Sequence, residues 1–339
     1  MLYYDNLYEI VFHRHEMFPC DELVVISGYV GFKPVQRVEE LPMKTTVVYG
    51  MYGSEGIHKS LRKVLIEEDK RISNLKILCS TMPVHSKIYM WLNKGEVVHS
   101  LIGSANFSMN GLDTPYKETL AETTYDTFKP LKLYRDIVFG NSIPCAETVI
   151  TLTPLQRKKA KKWIDYDPEV CRLPLYIMEN GIFKIPSQSG LNWGMAKILS
   201  GSHVNINDAY IPIPADYASH YPRMFPVKRS APVNFESVYR QDHRHNDTIE
   251  VIWDDGTEMV MLLEGTRNGR DENGNPVMYP KQIASSPSKA VLGKYLRARL
   301  GVPEGKPITL VDLDRYGRRN ISISLQGEGI YYFDFSLNG

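Results

Sequence analysis

His85 and Lys87 stand two residues apart in "VHSKIYMWLN", and Ser104 and Asn106 stand two apart in "GSAN", with sixteen residues between the pairs. An imidazole is a nucleophile or general base near neutral pH, whereas an ammonium and a carboxamide donate hydrogen bonds to an oxygen that gains charge during reaction. Phosphoryl oxygens suit such donors well. No second His, Asp or Glu falls at metal-ligand spacing in this stretch, which favours metal-free chemistry over a two-metal nuclease.

Rigid elements must hold these groups. Read as a strand, residues 84–92 alternate, so His85, Lys87, Tyr89 and Trp91 share one face while Ser86, Ile88, Met90 and Leu92 share the other. "NKGE" at 93–96 is a turn, and pairing the return strand across it sets Ser104 opposite His85, with Asn106 just beyond. The competing reading makes His85 and Lys87 solvated strand residues and "GSAN" a loop with a capping Ser or Asn. The joint match of both pairs on apolar strands favours the chemical reading. His99 falls on the hairpin away from this site and faces the structure without a role. His13, His15, His58, His243 and His245 have no local partner and read as surface or core residues.

Before the hairpin, "ELVVISGYV" (22–30), "KTTVVYGMYG" (44–53) and "LKILCS" (75–80) read as strands, and "IHKSLRKVLIEEDK" (57–70) as an amphipathic helix on Leu61, Val64 and Leu65. Strands alternating with helices predict an α/β domain with a buried mixed sheet. The Lys/Arg- and Pro-containing stretch 151–174 reads as a helix leading to a linker. Thereafter short alternating runs separated by "DDG", "NGR", "NGN" and "QGEG" predict a mostly β second domain. One helix interrupts it at "SPSKAVLGKYLRARLGVP", capped by Ser288, striped by Val291, Leu292, Tyr295 and Leu296, and stopped by Gly301 and Pro303. The divisions are therefore 1–165, a linker at 166–178, and 179–339.

The 339 residues are 43% hydrophobic, enough for a sizeable core, and 40 Lys plus Arg balance 39 Asp plus Glu. No global field advertises a polyanionic partner, so any nucleic-acid surface must be local. Cys20, Cys79, Cys145 and Cys171 are far apart and read as reduced core thiols. Neither a signal peptide nor a membrane span is expected, which predicts a cytoplasmic protein with no membrane partner.

The pattern His85-Ser86-Lys87 with Gly103-Ser104-Ala105-Asn106 resembles the H-x-K…G-S-x-N signature of the phospholipase D superfamily. The resemblance implies a histidine that attacks phosphorus to form a phosphohistidine, a second histidine as general acid, and Lys and Asn contacts to non-bridging oxygens. With one copy of the motif, it implies a homodimer in which each subunit contributes to a shared site. Many members carry an Asp five residues after the motif Lys, where this chain has Leu92. Nuclease members place a Glu after the motif Asn to orient a histidine, which points to Glu118, with Glu122 as the alternative.

In the second half, "SGLNWG", "NDAYIPIPAD", "LGKYLRARLGVP" and "ITLVDLDRYGR" resemble the B3-like DNA-recognition domain of NgoFVII-type restriction endonucleases, whose layout is related to that of the BfiI-type enzymes. This implies a phospholipase D-like α/β nuclease domain followed by a B3-like pseudobarrel that grips the major groove of double-stranded DNA between two arms. One arm is placed at 189–208, with Asn192, Lys197, Asn205, Asn207 and Asp208 as contacts. The other is placed at 264–282, with Arg267, Asn268, Arg270, Asp271, Glu272, Asn273 and Lys281, a mixture suited to reading guanine, adenine and cytosine edges. Against this, Gly, Asn and Asp also recur wherever turns require them, and Trp193 and Tyr210 read as core. The Lys289, Lys294, Arg297 and Arg299 stripe reads as a solvated helix face.

The combined expectation is a dimeric, metal-independent restriction endonuclease with no cofactor of its own. "GMYGSEGIHKS" is not a phosphate-binding G-x-x-x-x-G-K-[ST], so any ATP belongs to a helicase-like partner subunit. The alternatives are a catalytically degenerate DNA-binding regulator, or a phosphodiesterase of the same superfamily acting on RNA or lipid.

Overall fold

The computed structural model describes residues 1–149, 170–228, 246–271 and 274–337. The chain divides into two compact units, Met1–Lys158 with Gln326–Ile330, and Lys159–Leu325 with Tyr331–Gly339.

The first unit runs β1 Leu2–Tyr3, α1 Leu7–His13, β2 Glu22–Ser27, α2 Phe32–Arg37, β3 Lys44–Tyr49, α3 Tyr52–Glu55, α4 Lys59–Arg71, β4 Leu75–Ser80, β5 Lys87–Asn93, β6 Glu96–Gly103, α5 Met109–Leu112, β7 Leu120–Glu122, α6 Tyr125–Gly140 and β8 Ser142–Pro144. One mixed sheet in the order β1-β7-β6-β5-β2-β3-β4-β8 takes every strand. β2, β3 and β4 are parallel, and β5 turns the sheet antiparallel beside β2. The centre is made of β-branched runs buried on both faces, Leu23 to Ile26 in β2 and Thr45 to Val48 in β3, as befits strands covered by helices on each side. On one face Val24, Ile26, Val48, Ile88, Met90 and Leu92 pack with Leu131 and Val138 of α6. On α4 the expected residues Leu61, Val64 and Leu65 are buried, and the helix packs on β4 and α2.

The second unit runs β9 Cys171–Pro174, β10 Ile177–Glu179, β11 Ile182–Lys184, α7 Ala196–Ser200, β12 Ile211–Pro212, α8 Ala215–His220, β13 Asp247–Trp253, β14 Glu258–Glu264, β15 Arg267–Arg270, β16 Pro276–Tyr279, β17 Gln282–Ser285, α9 Lys289–Leu300, α10 Leu310–Tyr316, β18 Asn320–Gly327 and β19 Ile330–Asp334. Its main sheet has the order β12-β17-β14-β13-β19-β18-β9, and β10–β11 and β15–β16 form two separate ribbons. This is the mostly β, near-barrel unit that the alternating runs predict. Trp253, Phe333, Phe335, Leu292 and Leu296 lie in its core.

Several expectations need correction here. The linker expected at 166–178 contains β9, which pairs with β18; Cys171 and Leu173 are fully buried while Arg172 faces out, so alternation recruits the segment into the sheet. Residues 166–169, like the helix expected from 151 and the boundary at 165, lie outside the described residues. In α9 Ser288 caps the first turn and Gly301 ends the helix with φ 65°, as expected, but Val291 is 44% exposed. The inward stripe is Leu292, Gly293, Leu296, Arg297 and Leu300. Gly293 is needed because a Cβ there would lie 1.8 Å from the Asn207 carbonyl oxygen. Arg297 is fully buried and donates to the carbonyls of Lys306, Gly293 and Leu191, while Arg299 pairs with Asp254 at 2.9 Å. With Lys289 paired to Glu264 at 2.5 Å, three of the four expected solvated residues are tied into the fold, and Lys294 alone of them is exposed. Among the described residues, no helix is long and apolar enough to cross a membrane.

Candidate active site

β5 begins at Lys87, so His85 sits in the extended approach to the strand rather than in it. The alternation still holds from Lys87 onward: Lys87, Tyr89 and Trp91 are buried on one face, and Ile88, Met90 and Leu92 join the α6 core on the other. Leu92, where many superfamily members carry an acid, is therefore on the face opposite Lys87. The turn after β5 uses Lys94 and Gly95, both at positive φ, which suits a two-residue hairpin.

The register of the return strand differs from expectation by one residue. Asn93 pairs with Glu96 and Leu92 with Val97, but Trp91 pairs with His99, because a bulge lies between. Beyond it Ile88 pairs with Ile102, so a strand continued past Gly103 would bring Ser104 level with Ser86 rather than His85. Ser104 is exposed, and its hydroxyl accepts from the Thr119 N–H at 3.0 Å, closing the turn towards β7. The structure does not bring Ser104 into contact with His85.

Asn106 is brought in by its neighbours. Ala105 and Phe107 are fully buried on either side of it. The Tyr89 hydroxyl donates to the Ala105 carbonyl at 2.9 Å, the Phe107 N–H donates to Ser27 Oγ at 2.9 Å, and the Gly31 N–H donates to the Phe107 carbonyl at 2.8 Å. The helix cap that follows is supplied by Ser108, which accepts from Gly111, not by Ser104 or Asn106.

Lys87 Nζ lies 3.1 Å from the ring nitrogens of His85 and donates to the His85 carbonyl at 2.6 Å. Burial pushes the Lys87 ammonium below its ordinary range, while the charges of Glu328 and Glu118 push it back up. The Asn106 carboxamide is oriented by the end of β2: its Oδ1 accepts from the Tyr29 N–H at 3.1 Å and lies 3.3 Å from Ser27 Oγ. A backbone N–H can only donate, so the opposite atom must be Nδ2, which donates to a Glu328 oxygen at 2.9 Å. Imidazole, ammonium and amide N–H thus converge, two of them able only to donate, with the Glu328 carboxylate on the amide; an anion that displaced this carboxylate would meet both donors beside a nucleophilic ring.

The two candidate glutamates have different surroundings. Glu122 accepts from the Tyr3 hydroxyl at 2.6 Å, from Arg14 and from the Met1 amino group at 3.1 Å; the Tyr3 bond foremost, then the Met1 bond and the charge of Arg14, hold its carboxyl down at about 2. Glu118 is half-buried, and its charge acts on both Lys87 and Tyr89. Among the described residues, no group of three or more His, Cys, Asp or Glu is placed to hold a metal ion.

The expectation that the other histidines lack partners is corrected at His13 and at His58, which lies 3.3 Å from the Ser60 hydroxyl, and His99, expected to face the structure without a role, is engaged as well. His13 pairs with Glu16 at 2.8 Å and Glu9 at 3.0 Å. His99 accepts from Arg14 Nε at 2.9 Å between the rings of Phe18 and Trp91, and burial pushes its imidazole down to about 4. Folded His99 is then neutral where an unfolded histidine, near 6.5, takes up a proton, so it costs stability as pH falls from about 6.5 to about 4. His99→Gln keeps an acceptor for Arg14 but does not titrate. The melting temperature of the variant relative to wild type is expected to rise across that window; a constant difference from pH 7 to pH 4 would sink the assignment. His243 and His245 lie outside the described residues.

In the second unit the expected DNA contacts fall into two groups. Asn192 is 1% exposed; its amide donates to the Pro186 and Ile308 carbonyls and its Oδ1 accepts from the Ile308 N–H. Asn207 holds Glu304 and the Gly305 N–H, and Asp208 accepts from the Asn205 N–H. All three are buried, a correction to their placement on an arm's surface; Asn192 and Asn207 are spent on the fold, while Asp208 uses one carboxylate oxygen and its Oδ1 is buried without a hydrogen-bond partner; short polar side chains that close loops look the same in sequence as ones that face a ligand. Lys197 and Asn205 are exposed. The second expected arm is the β15–β16 ribbon. Asn268 and Arg270 are exposed on it, and Lys281 just beyond it. Arg267 donates to the Ile213 carbonyl at 2.7 Å, and Asp271 closes the turn by accepting from Asn275. Glu272 and Asn273 lie outside the described residues.

Sequence reasoning passed over Ser27, Gly28 and Tyr29, which orient Asn106 and line the cluster. The available signal was a Ser-Gly pair at the carboxyl end of a strand in the parallel part of the sheet, where such sheets bind ligands.

Residues 5–151 match the NgoFVII restriction endonuclease N-terminal PLD domain, and residues 172–326 match the NgoFVII C-terminal B3-like DNA-binding domain. Among solved structures, NucT from Helicobacter pylori is 16% identical with a TM-score of 0.30, over 41% of this chain and 87% of that one. A polyphosphate kinase from Porphyromonas gingivalis is 15% identical with a TM-score of 0.24, over 40% of this chain and 19% of that one. No curated protein matches.

Proposed function

Since the chain belongs to the NgoFVII restriction endonuclease family and is a DNA nuclease, we propose that it cuts double-stranded DNA at a defined sequence through a phosphohistidine at His85, without a metal. In this reading the His85 imidazole attacks phosphorus and forms a P–N bond as a P–O bond breaks. The His85 of a second subunit protonates the departing oxygen, and water then hydrolyses the phosphohistidine. Lys87 and the Asn106 Nδ2 hold the non-bridging oxygens, Glu118 orients an imidazole, and Ser104 adds a hydrogen bond from its turn. No cofactor is held by this chain, and any ATP is used by a helicase-like partner subunit.

The observation that carries the reading is the convergence of Lys87 and Asn106 beside His85 on buried, hydrogen-bonded backbone. Leu92, where the chain departs from the superfamily pattern, is the feature that favours the degenerate regulator; it packs in the core on the face opposite Lys87. In the second unit Lys197, Asn205, Asn268, Arg270 and Lys281 are the exposed groups left to meet DNA.

The test is incubation of the full chain with mixed-sequence duplex DNA in EDTA, with and without a candidate ATPase subunit, followed by denaturing gels. Discrete cuts in EDTA are expected. Cutting that returns only with added Mg²⁺ overturns the metal-free step. Site-specific binding without any cut, partner present, selects the regulator. Equal cutting of RNA or lipid phosphodiesters removes the DNA specificity.

A further inference from the structure

Gly28 immediately follows β2, and a Cβ placed on it would lie 3.1 Å from His85 Cδ2, 3.3 Å from Lys87 Nζ and 3.4 Å from Asn106 Oδ1. Three side chains from two segments of the chain therefore meet at the one position where residue 28 has no side chain. Glycine is not required there by backbone conformation, since Gly28 is not among the residues at positive φ. Nor is the backbone free to withdraw. The Ser27 and Gly28 carbonyls accept from Gly50 and Met51 at 2.8 and 3.0 Å, and the next N–H, Tyr29, is held by Asn106.

We infer that Gly28 is a positioning residue for phosphoryl transfer: its missing side chain leaves His85 and Lys87 free to sit where they meet the phosphate, and leaves undisturbed the Asn106 Oδ1 whose bond to Tyr29 aims Nδ2. This rests on the phosphodiesterase reading above. A methyl group at 28 would press on the ring edge and the ammonium, displacing both from the reacting phosphate by a few tenths of an ångström, and would abut Asn106 Oδ1. Small misplacements of this kind act on the transition state more than on DNA affinity, which is set by contacts elsewhere.

The experiment compares the full-length wild type with Gly28→Ala, Gly28→Ser and Gly140→Ala, the last at a position with nothing within 4 Å of an added Cβ. Duplex DNA cleavage, orthovanadate binding by ⁵¹V NMR and thermal unfolding are measured on each. Gly28→Ala is expected to melt within about 3 °C of wild type. Its kcat is expected to fall about 100-fold with KM changed less than about threefold, and its vanadate affinity to fall about tenfold. Gly28→Ser is expected to lose more, and Gly140→Ala nothing. Wild-type kcat and vanadate binding in Gly28→Ala overturn the inference while leaving the phosphodiesterase reading intact, and so does a collapse of its melting temperature, which would make the glycine a packing requirement. A wild type that neither cuts nor binds vanadate brings down the phosphodiesterase reading, and the inference with it.

Discussion

His85→Ala loses cleavage by about four orders of magnitude or more while binding duplex DNA as tightly as wild type. The size follows from the imidazole's role. Without a nucleophile to split the displacement into two steps, only the positioning of the phosphate by Lys87 and Asn106 remains, and groups that act as a unit fail nearly as a unit. Binding should survive because His85 is exposed, Lys87 and Asn106 remain, and the proposed base contacts lie in the other unit. If each site takes one imidazole from each of two subunits, an equimolar mixture of wild type and variant, allowed to exchange, retains roughly one quarter of the wild-type activity, because every mixed dimer lacks one of the pair. Single-turnover cleavage with gel-shift titration measures the first effect, and activity against mixing ratio measures the second. A linear fall with mixing ratio would leave one histidine sufficient, and activity undiminished in His85→Ala would remove the nucleophile from this hairpin.

What was legible in the sequence was periodic. The strands around Leu23 to Ile26, Thr45 to Val48 and Leu75 to Ser80 announce themselves because a buried strand is a run of β-branched and aliphatic residues, and α9 because Ser288 and Gly301 bracket it. The hairpin's bulge was not legible. One extra residue between Val97 and His99 changes no composition, yet it shifts the register and moves Ser104 away from His85. The helix α10 was also missed, although Thr309 and Asp312 form a capping box, because only Leu313 of its seven residues is buried and the apolar period is faint. Asn192 and Asn207 illustrate the opposite error: a polar residue between turns reads as presented, and only the fold reveals that its hydrogen bonds are consumed internally. Long-range partners decide such cases, which is why Asn106 could be named from spacing but its orientation by Tyr29 could not.

That orientation carries the second large effect. Asn106→Ala removes one donor aimed at a developing oxyanion and should lower kcat by about 10² to 10³. Asn106→Asp is nearly isosteric, and by size alone it should be the milder change. It should instead be worse by roughly a further tenfold. The Tyr29 N–H fixes which side of residue 106 carries an oxygen, so a carboxylate there accepts that bond with one oxygen and presents the other where Nδ2 now donates. A hydrogen-bond donor becomes a negative charge facing both the Glu328 carboxylate that Nδ2 now holds and an incoming phosphate, and although Lys87 offsets part of the repulsion, burial already disfavours its charge. Single-turnover rates of both variants at pH 7 to 8, with vanadate affinity alongside, separate the cases. An Asp variant that outperforms Ala means the Tyr29 contact does not hold the amide in place, and the phosphate is then bound by Lys87 alone.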